Sequence, residues 1–322
     1  MSPVRARLSR VLVMAIVSGV IGAGVGRAEA ASNSGSKINA VMASFDPYAG
    51  ADQRLIIGLL ANDGRTLAFG QVNFAIGYAG TKERPLKQVT ATQHIAAPYL
   101  PIPDGQPPSG DTSTSRLVRP SKSRGVYGGT VRFDKPGLWR VQIKGRNGSQ
   151  PFSAQTVFEV AAAPQVTPIG EPAPRSTNPL PGAPGTALRA IDSRADGPSV
   201  PDPELHQISV ADAIASGKPL LVVVSTPTYC VSQFCGPITD NIQKLARQYG
   251  DRMNFVHLEV WRSFRTQQFN DAAAEWVRRR DNKDANEPWV FVVDRSGTVV
   301  ERFDNVATAQ ELQGAISSQL AS

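Results

Sequence analysis

The sequence predicts two domains, an N-terminal all-β sandwich and a C-terminal α/β domain. Three observations carry that expectation. Apolar residues alternate with period two between about residues 38 and 161. From 205 to 322, continuous apolar runs alternate with helical stripes. Between the two lies a stretch crowded with proline, 162–204. The chain has 322 residues, enough for two cores. Its 41 % apolar and 19 % charged content is that of a folding chain rather than a disordered one.

The N-terminus reads as an export signal. Arg5, Arg7 and Arg10 form a basic start, residues 11–26 an apolar run, and Ala28-Glu29-Ala30 a small-residue cleavage site, so residues 1–30 are expected to be a signal peptide. The apolar run falls short of the ~20 residues a spanning helix needs. No later segment is apolar enough to cross a membrane, and no stable span is expected in the mature chain. The expected location is secreted or periplasmic, in the cell envelope. Arg5, Arg7, Arg10 and Arg27 against Glu29 carry three of the seven net positive charges. The remaining cations are scattered except Arg278-Arg279-Arg280, which sits in a helical pattern and reads as a solvated face. Nucleic acid is therefore not an expected partner.

In the first domain, residues 54–61 (RLIIGLLA) read as a strand closed by the turn Asn62-Asp63-Gly64. Val72, Phe74, Ile76 and Tyr78 then share one face. Val131 and Phe133 alternate before the turn Lys135-Pro136-Gly137. Trp139, Val141 and Ile143 follow, with Trp139 a core residue, and TVFEV (156–160) is the last strand. A long irregular insertion is expected at about 85–126, including Tyr99 and Leu100 among prolines. FDKPGLWRVQI (133–143) resembles the ending of exported immunoglobulin-like modules of the FixH and YtkA type, which implies an immunoglobulin-like sandwich.

Ten prolines between 164 and 203 cannot continue a helix or a central strand, and favour an extended, semi-rigid linker over 162–204. Beyond it, Ser209 can cap a helix that stops at Gly217. PLLVVVS (219–225) reads as a strand buried on both faces. Pro237 opens a helix carrying the stripe Ile238, Ile242, Leu245, Ala246 and Tyr249. NFVHLEVW (254–261) is a strand, and a polar helix over about 267–280 comes next. WVFVVD (289–294) and TVVERF (298–303) form a hairpin. Thr308 with Glu311 makes a capping box for a last helix.

Both cysteines lie in TPTYCVSQFCGPITD (226–240), as Cys230 and Cys235. In an oxidising compartment a single close pair is either a staple or a redox site. Residues five apart on a regular helix differ by ~140° in direction and ~7.5 Å in rise. A disulfide needs Cα atoms within about 7 Å. Pairing therefore requires VSQF to be a loop, with the helix starting near Pro237 and Cys235 just outside its N-terminus, where a thiolate is stabilised.

The strand ending in TPTYC, the helix opening with CGP, the lone Pro288 before WVFVVD, and the final hairpin and helix together resemble the thioredoxin superfamily over 205–322. The resemblance implies a thioredoxin-like fold and thiol–disulfide exchange with exported thiol or disulfide proteins, without a cofactor. It implies Cys230 and Cys235 as the reacting pair, a cis bond at Pro288, and Pro288, Tyr229 and Trp289 as substrate contacts. Alignment on CGP makes Cys235 the nucleophile. Alignment on the strand end makes it Cys230. Ile238 stands where the family has its second cysteine, and LVVV lacks the family's buried aspartate. Two alternatives remain at this point: a non-catalytic envelope binding protein with a structural disulfide, and a copper-handling relative. The three histidines are His94, His206 and His257, and His257 reads as a structural residue on a face with Phe255 and Glu259. No zinc spacing is present, and no metal ligand is expected.

Overall fold

The computed structural model describes residues 37–102, 111–232, 234–281 and 285–321. The expected signal peptide lies outside them, as do residues 103–110 of the expected insertion. Ser36–Ser322 forms one compact unit.

Nine strands build the N-terminal part: β1 (Ile38–Met42), β2 (Asp52–Ala61), β3 (Thr66–Ala68), β4 (Gln71–Gly80), β5 (Gln93–Pro101), β6 (Arg116–Val118), β7 (Gly125–Arg132), β8 (Gly137–Asn147) and β9 (Gln150–Val160). They form a single antiparallel sheet in the order β6-β3-β2-β7-β5-β4-β8-β9, with β1 on β2. Strand β5 makes the sheet continuous. Its residues 93–98 pair with β4, and 99–101 switch to β7. The switch coincides with Pro98, which cannot donate to a ladder. The sheet folds over a core of Leu55, Ile57, Phe74, Ile76, Tyr127, Phe133, Trp139, Val141 and Phe158. Trp139 is a core residue, as its alternation predicts; its indole N–H donates to the Lys135 carbonyl at 3.1 Å.

The C-terminal part adds α1 (Val210–Ala215), β10 (Leu220–Ser225), α2 (Cys235–Tyr249), β11 (Asn254–Glu259), a small hairpin of β12 (Trp261–Ser263) and β13 (Gln268–Phe269), α3 (Asp271–Val277), β14 (Trp289–Val293), β15 (Val299–Asp304) and α4 (Ala309–Ala321). The four-stranded sheet has the order β11-β10-β14-β15, with only β10 and β11 parallel. Alternate residues of β10 enter two cores. Val222 and Val224 meet α1 and α3, while Leu221 and Val223 meet α2 and α4. Burying such side chains contributes ~1.5–3 kcal/mol each, which is why LLVVV carries no polar residue. The capping box forms: Thr308 N and Oγ1 donate to Glu311 Oε2 at 2.8 Å, and Glu311 N donates back to Thr308 Oγ1 at 3.1 Å.

The expected fold class is corrected. Strand outweighs helix, 38 % against 17 %, and large antiparallel sheets dominate, so an α/β thioredoxin-like C-terminal domain is not supported. The region predicted as a helix over 267–280 spends Gln268–Phe269 on a hairpin, and its helix has only seven residues. An immunoglobulin-like sandwich is likewise replaced by one continuous nine-stranded sheet. The insertion at 85–126 contributes β5, β6 and the start of β7. Within the proline-rich stretch, Val166, Ala173, Ser176, Ala190, Ile191, Asp192, Val200 and Asp202 are buried.

A buried carboxylate ties these parts together. Asp46, just after β1, accepts backbone N–H bonds from Gln165 at 3.0 and 3.1 Å, and faces Arg302 of β15 at 3.0 Å and Arg279 at 3.8 Å. The arginine triplet lies past the end of α3 rather than on a helix face; Arg278 and Arg280 are exposed, as expected, while Arg279 is 11 % exposed and donates to the Phe45 carbonyl. Around this point Phe45 packs on Trp289, and Asp304 Oδ2 accepts the Phe45 N–H. Removing one partner of a buried ion pair strands the other charge. Asp46→Ala should therefore lower unfolding stability by ~3–5 kcal/mol, read as a reduced urea midpoint. An unchanged midpoint would show the seam to be energetically idle.

Candidate functional site

Cys230 and Cys235 form a disulfide, with Cα atoms 6.0 Å apart. Residues 226–232 are a loop with turns, so the geometric requirement read from the sequence is met by a non-helical connection. Helix α2 begins at Cys235 itself, two residues earlier than Pro237 suggests. No side chain caps it. Instead the Cys235 N–H points to Cys230 Sγ at 3.4 Å, and Ser232 Oγ lies 3.2 Å from the same sulfur. Negative charge on Cys230 would meet both a donor and the positive end of a four-turn helix.

The two sulfurs differ in access. Cys235 is 0 % exposed, whereas Cys230 is half-buried beside Val231, which is 93 % exposed. Phe234 packs both on the cluster that includes Ile56 and Val126 of the large sheet and on the core under α2, so the large sheet buttresses the cysteine helix. Tyr229 stacks on Phe264 with centroids 4.1 Å apart and planes 4° from parallel. The register places Trp289 opposite Val224 at the end of β10. Trp289 is 2 % exposed and stacked on Phe291, so its ring offers a substrate no surface. Pro288 is buried, and its bond to Glu287 is cis.

The loop is held from below by the proline-rich stretch. Ser193 Oγ accepts the Thr228 N–H at 3.1 Å, and the Ser193 N–H donates to Glu259 Oε2 at 2.8 Å. Glu259, at the end of β11, is buried, and burial pushes its carboxyl up. Beside it, Asp192, Asp202, His206 and His257 converge, all buried. His257 is bound at Nε2 by Ser225, whose hydroxyl also meets Thr239 of α2 at 2.8 Å. Sequence reasoning singled out His257 as structural but missed Asp192, Asp202 and the role of His206, because it placed the first two in a spacer. The spacing Asp202–His206 is the one local signal; the two bond at 3.1 Å across a short 3-10 turn. Among the described residues, no histidine or carboxylate groups with the two cysteines as a metal set. His94 lies in a cleft of about 420 Å³ on the outer face of β4, β5 and β8, with Arg140 and Lys144 and without either cysteine. No described helix is long and apolar enough to cross a membrane.

No family model, curated protein or solved structure matches this chain.

Burial, with the nearby charge of Glu259, pushes the Glu287 carboxyl up to about 7. Between its ordinary value of 4.5 and 7 the folded chain holds a proton that the unfolded chain has lost. Stability therefore falls as pH rises through that window. Glu287→Gln should remove this loss: the variant gains Tm over the native chain at pH 8 and little at pH 4.5. Equal Tm differences at both pH values would refute the assignment.

Proposed function

We propose that the chain is an exported thiol–disulfide exchange protein acting on protein partners through Cys230 and Cys235. The observation that carries this reading is the asymmetry of the pair: one cysteine half-buried in a surface loop and served by a helix N–H, the other sealed behind it. A thiolate of a partner attacks Cys230 Sγ. The Cys230–Cys235 bond breaks, and Cys235 leaves with the bonding electrons and takes up a proton. The partner's second thiolate then attacks its own sulfur in the mixed disulfide. This releases Cys230 as a thiolate and transfers two electrons to the pair. The reverse sequence reduces a partner disulfide. Exposed Val231 and the stacked Tyr229–Phe264 pair supply the adjoining apolar surface for a polypeptide. A loop this short also gains less from a permanent staple than a long one does.

Exchange requires the sealed cysteine to resolve the mixed disulfide. Cys235→Ser should accumulate a mixed disulfide with a dithiol substrate or an envelope protein through Cys230, and Cys230→Ser should not. In the reduced native chain, iodoacetamide should modify Cys230 at least about ten-fold faster than Cys235, following access and thiolate character. The reduction potential should lie above about −300 mV, where glutathione can exchange with the pair. A lower potential, together with no trapped species from either variant, would identify a structural disulfide and end this reading.

A further inference from the structure

The buried cluster beneath the cysteine loop has unmet bonding capacity. Asp192, Asp202, His206 and His257 have side chains that are 0 % exposed, and one ligand atom from each lies within 4.8 Å of all the others. Two of their ring nitrogens have no hydrogen-bond partner, His206 Nδ1 and His257 Nδ1, while Asp202 Oδ2 is met by Arg194 Nη2 at 3.0 Å. Buried polar atoms left without partners are costly, so two such nitrogens in one cluster call for an occupant.

His257 shows what kind. Its Nε2 lies 3.0 Å from Ser225 Oγ and 3.3 Å from the Ser225 carbonyl. A carbonyl only accepts, so this contact favours a proton on Nε2. Nδ1 faces Asp202 Oδ2 at 3.4 Å and Asp192 Oδ2 at 3.7 Å. Two carboxylates facing one ring nitrogen call for positive charge at that nitrogen, a proton or a metal ion, beyond the single charge that Arg194 supplies. Ligands held about 2.0–2.1 Å from a tetrahedral metal are about 3.3–3.4 Å apart, close to these separations.

The geometry points to a buried divalent transition-metal site, of the zinc type, held by Asp192, Asp202 and His257 with His206 as fourth ligand. Oxygen and imidazole donors in this ratio suit zinc. Arg194 serves as the outer partner that orients both carboxylates. Its Nη2 lies 2.7 Å from Asp192 Oδ2 and 3.0 Å from Asp202 Oδ2, and its Nη1 reaches Asp240 at 2.5 Å. With Glu259 as a third buried carboxylate next to His257, the ion and Arg194 are offset without leaving the cluster strongly charged. Because the site is closed, the ion enters as the chain folds. It then clamps residues 192–206 onto β11 and, through Ser225 and Thr239, onto the helix that carries Cys235.

The test is refolding of the mature chain from denaturant with zinc or with a chelator, followed by gel filtration and metal analysis. One zinc per chain is expected, with a higher Tm than the chelator-refolded protein. X-ray absorption should show a nitrogen and oxygen shell near ~2.0 Å with imidazole scattering and no sulfur near ~2.3 Å. Asp192→Asn and His257→Gln should each weaken zinc binding at least about ten-fold, and the double variant Cys230→Ser/Cys235→Ser should retain it. A chain that keeps no zinc and gains no Tm carries a protonated His257 ion pair there instead, and the proposal falls. It falls equally if the metal shell contains sulfur or if binding is lost with the cysteines. Should a ligand variant fail to fold, the absorption spectrum of the native chain decides alone.

Discussion

The structure turns on one buried carboxylate, Asp46. It is reached by the backbone of Gln165, by Arg302 on β15 and by Arg279 after α3, so three stretches far apart in sequence meet on its two oxygens. A charge can be buried only where partners surround it. That condition fixes where the proline-rich stretch leaves the large sheet and how the C-terminal sheet sits against it. Arg54 repeats the device on β2, bridging to the Val306 carbonyl and to Glu311. The joint is therefore polar and directional, unlike the apolar cores on either side. An apolar seam tolerates sliding, whereas hydrogen bonds of fixed geometry do not.

The cysteine loop depends on that docking. Its backbone is bonded to Ser193, and Ser193 is bonded to Glu259 of the sheet. The stretch that reads as a spacer thus forms the floor of the site. Its prolines serve this role physically: they lower the entropy of an extended segment that lies along the C-terminal sheet, to which Gly170 still donates at Val299. Phe234 ties the site to the large sheet by entering both that sheet's cluster with Val126 and the α2 core.

What was legible in the sequence was local. The buried strand LLVVVS, the helix stripe from Ile238 to Ala246, the capping box at Thr308 and the alternating faces of β4 and β8 all follow from periodicity and cap chemistry over a few residues, and all form. What was not legible was partner choice. Nothing in HIAAPYLP reveals that a strand abandons one neighbour for another at Pro98, and two sheets were expected where one runs through. The same limit undid the fold class, since an order of elements says nothing about the large antiparallel sheet they dock on. It also hid Asp192 and Asp202, whose meaning comes from His257, more than fifty residues away. The cysteine pair was legible because its constraint, a disulfide across five residues, is local.

The asymmetry of the pair also bears on the direction of the proposed exchange. A helix N–H and the helix dipole stabilise negative charge on Cys230 only when the disulfide is open. Whatever stabilises the reduced form makes the disulfide a better oxidant. Burial acts on Cys235 in the opposite sense, because a sealed, uncovered thiolate is costly. The sealed sulfur therefore leaves readily only if it gains a proton as the bond breaks. Glu287, pushed up to about 7 by burial at the same end of the sheet, is a carboxyl that holds its proton up to near neutral pH. An oxidant role thus asks two things of one short loop: an open sulfur that welcomes charge and a closed one that rejects it. The loop between β10 and α2 provides both because it runs from a solvent-facing turn straight into a buried helix start.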